Sequence, residues 1–210
     1  MHNCLVGSEM CIRDRGGIGS NLLELVVPVL SRLSQQLEIH LMDDDLVDES
    51  NLAHQRFTQS EIGLAKVDAL STRFPKSASL TLVPRAERLT DSTQLLGYDI
   101  IIAAVDNDTP RKLVHQSGIV WSDLRCQGDG WIIIDNETEN STVAKLPPQI
   151  KPTSCQLPGA IESGNIEFGF ATAAAIGAQW LCQKLRMIRG DNTRTPRFAM
   201  GYLTYGQMKI

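Results

Sequence analysis

The sequence predicts an α/β protein with a doubly wound, mostly parallel sheet. Three observations lead to this prediction. Strand-like apolar segments alternate with helix-like segments, as in chains built from βαβ units. Residues 98–105 are apolar almost throughout, which is typical of a strand buried on both faces. Glycines at positions 16, 17 and 19 directly precede a helix-like segment, an arrangement typical of Rossmann-like folds.

The first half of the chain alternates between predicted helices and strands. An apolar-rich helix follows the glycines, and Pro28 inside it predicts a kink or an early end. Residues 37–42 alternate in polarity and then meet an acidic run, as a strand end does. The other predicted elements are a helix at 65–74, a strand at 79–83, the buried strand at 98–105 and a helix at 110–116.

The second half predicts a sheet that ends in antiparallel strands. Residues 118–123 and 131–135 are strand candidates, and residues 197–210 predict one or two closing strands. Residues 145–158 are rich in proline, which favours a loop or crossover. Residues 165–186 predict a long helix of small side chains that can pack closely. Because no repeat or flexible linker divides the chain, we expect one domain.

Composition excludes several classes of protein. The chain has 210 residues, of which 42% are hydrophobic and 21% charged, as in ordinary globular proteins. A net charge of −4 gives no basic field for nucleic acid or anionic lipid. The longest mostly apolar run, residues 168–182, is shorter than the roughly 20 residues that a membrane span needs. The five cysteines are scattered and no secretory signal precedes them, so we expect a cytoplasmic protein.

The first fifteen residues do not fit this fold. A buried first strand should lead directly into the glycines, but Arg13, Asp14 and Arg15 precede them. A buried strand end does not accept such charges without partners. The string VGSEMCIRDR resembles translated sequencing-adapter sequence. We therefore expect residues 1–15 to be a non-native or disordered segment in place of the native first strand, and residues 16–210 to form the domain. The alternative is a genuine short polar arm.

Two features suggest a nucleotide site, and each also has a plain structural explanation. The segment GGIGS would let a phosphate approach the backbone at a helix N-terminus, but glycines there also serve close packing alone. Asp43 ends the second predicted strand, where a carboxylate accepts hydrogen bonds from ribose hydroxyls. Within the run DDD it is also explained as a solvated acidic turn.

Polar residues further along the chain strengthen the nucleotide interpretation. Asn51, Gln55 and Lys66 offer amides and a cation to a polyphosphate. Asp106 follows the buried strand, and ligands of open α/β sheets bind at the C-terminal ends of such strands. A carboxylate there can hold Mg²⁺, which together with Lys66 would stabilise negative charge on phosphates.

The segments GGIGS, DDDLVDESNLAHQ, IGLAK and DNDTPR resemble, in this order, the nucleotide-binding domain of the ThiF/MoeB/HesA superfamily of ubiquitin-activating-like adenylyltransferases. The segment SCQLPGAI and the small-residue helix are similar to the ThiF-like branch associated with PRTRC systems. The resemblance implies ATP-dependent adenylation of the C-terminal carboxylate of a ubiquitin-like or sulfur-carrier protein, giving an acyl-adenylate and pyrophosphate. It also implies ATP and Mg²⁺ as cofactors and a homodimer or heterodimer.

The resemblance also assigns roles to single residues. Those implied to contact the phosphates are Gly16, Gly17, Gly19, Ser20, Asn51, Gln55 and Lys66. Asp43 is implied to bind the ribose and Asp106 to coordinate Mg²⁺. Arg111 lies in a matching segment, and we expect it to be structural and to pair with a nearby carboxylate.

Three features depart from the family pattern. Asp14 occupies the register of the first loop glycine, where its charge would repel phosphates. His54 stands where the family usually has an arginine, and an imidazole supplies no permanently charged fork. Arg56 is a candidate substitute. Family members often lend an N-terminal arginine across a dimer interface, and we expect the native N-terminus to be missing here.

The cysteines predict no zinc site, because the chain has no Cys-x-x-Cys pair. Cys155 lies in the proline-rich crossover, where some relatives carry a catalytic or thioester-forming cysteine, so it is a candidate nucleophile. A small buried or incidental cysteine is the alternative.

Two other functions stay open. A non-catalytic partner subunit that binds a carrier protein would explain His54 and Asp14. An NAD-dependent oxidoreductase would explain the glycines and Asp43, but it gives no role to the segments SNLAHQ and DN.

Overall fold

The computed structural model describes residues 8–13, 16–146, 155–156, 158–204 and 206–208. Within these residues one sheet contains eight strands: β1 Ser8–Arg13, β2 Leu37–Met42, β3 Leu80–Arg85, β4 Ile100–Ala103, β5 Val120–Gln127, β6 Gly130–Asp135, β7 Phe198–Tyr202 and β8 Gly206–Met208. The α-helices are α1 Gly17–Leu30, α2 Lys66–Arg73, α3 Asp108–His115, α4 Asn140–Val143 and α5 Gly169–Ile188. Short 3₁₀ turns span Glu49–Asn51, Gln59–Glu61 and Ser92–Leu95.

The strand order is β3-β2-β1-β4-β5-β6-β7-β8. Neighbouring strands from β3 to β5 pair in parallel, whereas β6, β7 and β8 continue the sheet in antiparallel pairs. The chain runs outward from β1 to β3 and then returns to continue on the other side with β4 and β5, so the parallel part is doubly wound. The predicted Rossmann-like, mostly parallel sheet with antiparallel C-terminal strands is confirmed.

The central strand is β1, which lies in the segment that we expected to replace the native first strand. Of its residues only Glu9 is exposed, and β1 pairs in parallel with β2 and β4. Met10, Cys11 and Ile12 are fully buried and supply the apolar side chains that this position needs. Ser8–Arg13 therefore fill the position of the first strand. The non-native origin of residues 1–15 and a domain over residues 16–210 stay predictions.

Helices cover both faces of the sheet. α1 and α5 pack together over the larger apolar core, which includes Leu22 and Trp180. α3 lies on the other face, over a smaller core that includes Val114. A Cβ atom at Gly177 of α5 would overlap Leu124 of β5. The small residues of α5 thus permit close packing, as the sequence predicted.

Some element ends differ from expectation. α1 continues through Pro28 and ends at Leu30, so the proline is accommodated within the last turn. α5 begins at Gly169, later than predicted. Most of the predicted crossover, residues 147–154 and 157, lies outside the described residues. Among the helices described, none has the length and apolar character needed to cross a membrane.

Candidate functional site

A cavity lies where the strand order reverses. β1 has β2 on one side and β4 on the other, so the chain segments that leave these strands diverge and open a crevice at their carboxyl ends. The cavity there has a volume of about 570 Å³. Its walls come from β1, from the segments after β2, β3 and β4, and from the start of α3. The lining residues are Arg13, Met42, Asp43, Asp44, Asp45, Glu87, Arg88, Leu89, Thr90, Val105, Asp106, Asn107, Thr109 and Pro110.

Two of the predicted site residues, Asp43 and Asp106, line this cavity together. Asp43 follows β2 directly and is buried, and its Oδ1 accepts a hydrogen bond of 2.8 Å from the backbone N–H of Asp45. Asp106 follows β4 and is exposed, and its Oδ1 accepts from the side-chain amide of Asn107 at 3.1 Å. The fold therefore brings two carboxylates that are distant in sequence to one opening.

The acidic run after β2 is held by cations from two other elements. Asp44 pairs with Arg88, from the segment after β3, at 3.1 Å. Asp45 pairs at 2.9 Å with Lys66, the first residue of α2. Lys66 is buried and does not line the cavity. The predicted phosphate-binding cation thus lies directly behind the acidic wall, in contact with one of its carboxylates.

The predicted glycine segment lies outside the cavity lining. A Cβ atom at Gly17 would lie 3.3 Å from both His54 and Phe170, so this glycine serves close packing. The hydroxyl of Ser20 donates to the carbonyl of Gly16 at 2.8 Å and accepts from the backbone N–H of Arg56 at 3.1 Å. The helix start is therefore joined to the 54–56 segment by contacts within the protein.

The predicted residues between Asn51 and Arg56 form a compact turn. The side chain of Asn51 accepts from the backbone N–H of Asp48 at 2.9 Å, and its carbonyl accepts from that of Gln55 at 2.9 Å. The guanidinium of Arg56 donates to the side chain of Asn21 on α1 at 2.8 Å. Arg56 is therefore directed toward α1, and none of these residues lines the cavity.

His54 is buried between α1 and α5. Its exposed fraction is 9%, and its ring meets that of Phe170 edge to face at 5.9 Å. Burial, followed by the positive charge of Lys66, lowers the pKa of His54 below its usual value. Within the described part of the chain, Nδ1 of His54 and the side-chain oxygen of Gln55 are buried without a hydrogen-bond partner. The residue at the family's arginine position is thus a neutral imidazole at pH 7.

Cys155 does not line the cavity. It is partly buried against the larger core, and its carbonyl accepts from the backbone N–H of Gly128 at 2.9 Å. Among the described residues, the metal-ligand group detected is Asp43, Asp44 and Asp45, whose oxygen atoms lie within 4.8 Å of one another. Such oxygen ligands are of the type that Mg²⁺ prefers.

Sequence reasoning missed the two arginines of the cavity wall, Arg13 and Arg88. The charge of Arg13 predicts that it does not suit a buried strand end, yet its exposed fraction is 3%. Arg88 gave no signal, because its partner Asp44 is distant in sequence. Both become recognisable only when β1, β2 and β3 are placed side by side.

Arg111 has the structural role that the sequence suggested. It is buried and pairs with Asp108 at 2.8 Å and with Asp123 of β5 at 3.1 Å. Asp123 is completely buried and is also contacted by His115 and Arg125. Burial would raise the pKa of Asp123, but the hydrogen bond from His115 and the charges of the two arginines outweigh it and lower the pKa. This network holds α3, and thus the Asp106 segment, against the sheet.

The doubly wound sheet, the acidic cavity at its reversal point and the glycine-rich start of α1 define a ligand-binding domain of the Rossmann-like class. The chain belongs to the ThiF family, whose profile matches residues 5–209. The resemblance inferred from the motifs is thereby confirmed at the level of the family, whereas the likeness to the PRTRC-associated branch stays a prediction. Comparison with curated protein sequences gives no significant match.

Solved structures share the fold at low sequence identity. Selenomethionine PaaA matches with a TM-score of 0.61 and 16% identity, over 93% of this chain and 61% of PaaA. MccB of E. coli solved with ATP matches with a TM-score of 0.60 and 16% identity, over 94% of this chain and 61% of MccB. MccB solved with selenomethionine MccA gives 0.62 at 16% identity, over the same shares of the two chains. The chain therefore spans about 61% of the length of these proteins.

Proposed function

We propose that this chain catalyses the ATP-dependent adenylation of the C-terminal carboxylate of a ubiquitin-like or sulfur-carrier protein. The observation that carries the proposal is that Asp43 and Asp106, from the ends of two strands, line one cavity at the reversal point of the sheet. Membership of the ThiF family supports this type of activity. The similarity to MccB, which has been solved with ATP and with MccA, agrees with ATP as a substrate.

Asp43 would bind the ribose, and Asp106 would bind the metal ion. Asp43 is buried and fixed by its hydrogen bond to the backbone of Asp45, so it presents a rigid acceptor for the ribose hydroxyls. Asp106 is exposed on the opposite wall and offers hard oxygen ligands that fit Mg²⁺. When bound, Mg²⁺ would neutralise part of the phosphate charge, which this acidic cavity would otherwise repel.

The phosphates would be bound by groups on the α1 side of the cavity. We propose that the backbone of Gly16, Gly17 and Gly19 faces the phosphates, because a helix N-terminus favours an anion. Ser20 would support this binding indirectly, since its hydroxyl donates to the carbonyl of Gly16 and holds that backbone in place. Lys66 would exchange Asp45 for a phosphate oxygen, since both ligands are anionic and Asp45 is partly exposed. The amides of Asn51 and Gln55 would complete the contacts.

The reaction needs no nucleophile from the protein. A carboxylate oxygen of the carrier forms a bond with the α-phosphorus of ATP, while the bond from that phosphorus to the oxygen bridging to the β-phosphorus breaks. Pyrophosphate leaves with the electron pair of the broken bond, and the acyl-adenylate remains. Positioning and electrostatic stabilisation are sufficient for this step. Cys155 stays a candidate nucleophile only for a later step, in which the acyl group would be transferred to form a thioester.

A second candidate function is a non-catalytic subunit that binds the carrier protein. It is favoured by His54, because a buried neutral imidazole cannot supply the permanent charge of an arginine at this position. For either function we propose a cytoplasmic homodimer or heterodimer.

The test is ATP–pyrophosphate exchange measured with the full chain and a carrier that ends in Gly-Gly. We expect exchange that depends on the carrier and is lost in Asp106→Asn. Carrier binding in a pull-down without any exchange would favour the non-catalytic function instead. If His54→Arg then restores exchange, the chain is an impaired enzyme. Absence of both exchange and carrier binding would overturn both functions.

A further inference from the structure

Arg13 is a buried cation in the wall of the cavity. It is the last residue of the central strand β1, three positions before Gly16, and its exposed fraction is 3%. Its neighbours in the same row of the sheet are Met42 of β2 and Ala103 of β4, both apolar. Whatever the origin of residues 1–15, this guanidinium belongs to the wall of the cavity in the present chain.

The hydrogen-bond donors of this guanidinium are poorly satisfied within the protein. A guanidinium has five N–H donors, and here Nη1 donates to the thioether sulfur of Met42, a weak acceptor. The Nε atom is buried and has no hydrogen-bond partner among the residues that the structure describes. Burial lowers the pKa of Arg13, and the charges of Asp43 and Glu87 offset part of this effect. A buried charge without a hydrogen-bonded counter-ion is strongly unfavourable.

Among the described residues, the cavity is the open side from which a partner can reach this guanidinium. The strands on both sides present apolar side chains, whereas the cavity is open and large enough to hold part of a ligand. An oxyanion that enters from the cavity would give the guanidinium the paired acceptors that match its planar fork. Because β1 leads directly to α1, an anion beside Arg13 would also lie near the positive end of that helix.

We propose that Arg13 is a phosphate-binding residue of the cavity and receives a phosphoryl oxygen of the nucleotide. This inference rests on the proposed function, because the nucleotide supplies the phosphate. It adds a phosphate-binding residue that lies outside all the sequence motifs of the site. Five carboxylates line the same cavity, namely Asp43, Asp44, Asp45, Glu87 and Asp106. The phosphate therefore needs its sugar and base, or Mg²⁺, to enter, and a free phosphate ion binds weakly.

The experiment compares adenosine, AMP and Mg·ATP by calorimetric titration of the full chain. In the wild type we expect AMP to bind at least about tenfold more tightly than adenosine, in the range of a charge-assisted hydrogen bond. Arg13→Met should remove this preference and leave adenosine binding unchanged. Arg85→Met is the matched control, since Arg85 ends β3 in the same row of the sheet, is exposed and does not line the cavity. Arg85→Met should keep the preference for AMP over adenosine.

Other outcomes separate this proposal from the proposed function. If AMP binds as stated but carrier-dependent exchange is absent, the proposed function fails and the role of Arg13 stands. If no nucleotide binds, magnesium pyrophosphate is the probe, and it should raise the Tm of the wild type but not that of Arg13→Met. Phosphate binding that is unchanged or tighter in Arg13→Met would overturn the role, and so would a wild type that binds neither nucleotide nor pyrophosphate.

Discussion

The ammonium group of Lys66 lies 2.9 Å from Oδ2 of Asp45, and this contact joins the start of α2 to the acidic run after β2. The side chain of Lys66 is 6% exposed, whereas that of Asp45 is 56% exposed. A buried ammonium requires a counter-charge, and Asp45 supplies it from the solvent side. Asp45 is therefore a counter-charge for Lys66 behind the acidic wall of the cavity.

Loss of the Asp45 charge should destabilise the protein. We expect Asp45→Asn to lower the free energy of unfolding by about 1–2 kcal/mol, less than the roughly 3–5 kcal/mol of a fully buried pair because Asp45 is half exposed. Urea denaturation measures this difference. Asp44→Asn is the control, since its partner Arg88 is exposed, and it should cost at most about 0.5 kcal/mol. Equal losses of unfolding free energy in Asp45→Asn and Asp44→Asn would contradict the role of Asp45 as the counter-charge of Lys66.

Asp106 should affect activity without affecting stability. Its side chain is exposed, so Asp106→Asn should leave the Tm within about 1 °C of the wild type. The same change should reduce ATP–pyrophosphate exchange by roughly 100-fold or more, because a metal-binding charge is lost. Asp99→Asn is the control, since Asp99 is an exposed aspartate at the opposite end of β4. A similar loss of exchange in both variants would contradict the role of Asp106 in binding the metal ion.

Burial of His54 should make stability depend on pH. Its folded-state pKa lies below the unfolded value of about 6.5. The unfolded chain therefore binds this proton more readily, and stability is lost as the pH falls below about 6.5. Between pH 7.5 and 5.5 the wild type should lose more unfolding free energy than His54→Gln, which cannot titrate there. Parallel stability curves for the two proteins would show that His54 is protonated freely in the folded state.

Much of the fold and part of the site could be predicted from local sequence patterns. The run of apolar residues in β4 identified a strand buried on both faces, and carboxyl ends of parallel strands meet at one edge of a sheet. The meeting of Asp43 and Asp106 at one cavity follows from these two facts. The sequence also predicts that Arg111 pairs with a nearby carboxylate, and Asp123 is such a partner.

Other features depend on contacts that no local pattern contains. The charges of Arg13, Asp14 and Arg15 argue against a buried strand, but β2 and β4 flank Ser8–Arg13 and bury it. The direction of Arg56 is decided by Asn21 on a different helix. The environment of His54 is decided by Phe170, which is far along the chain. In each case a residue on a distant element determines which neighbours a side chain meets.

The last prediction concerns Asp123, which is completely buried and contacted by Arg111, His115 and Arg125. We expect Asp123→Asn to lower the unfolding free energy by roughly 3–5 kcal/mol, because the nearly buried Arg125 loses its counter-charge and the buried Arg111 keeps only Asp108. The pKa of Asp123 is lowered in the folded state. Its contribution is therefore complete above the unfolded pKa of about 3.9 and is lost as the pH falls below that value.

Urea denaturation of both proteins from pH 7 to pH 3 tests this prediction. The difference in unfolding free energy between wild type and Asp123→Asn should be constant from pH 7 to about pH 5 and should shrink below about pH 4. Asp91→Asn is a control, since Asp91 is an exposed carboxylate that caps the turn Ser92–Leu95, and it should change the unfolding free energy little because asparagine caps about as well as aspartate. If the Asp123 difference is no larger than this, the network does not hold α3 against the sheet. Asp106 would then owe its place in the cavity to the Asn107 cap of α3 rather than to the ion pairs behind it.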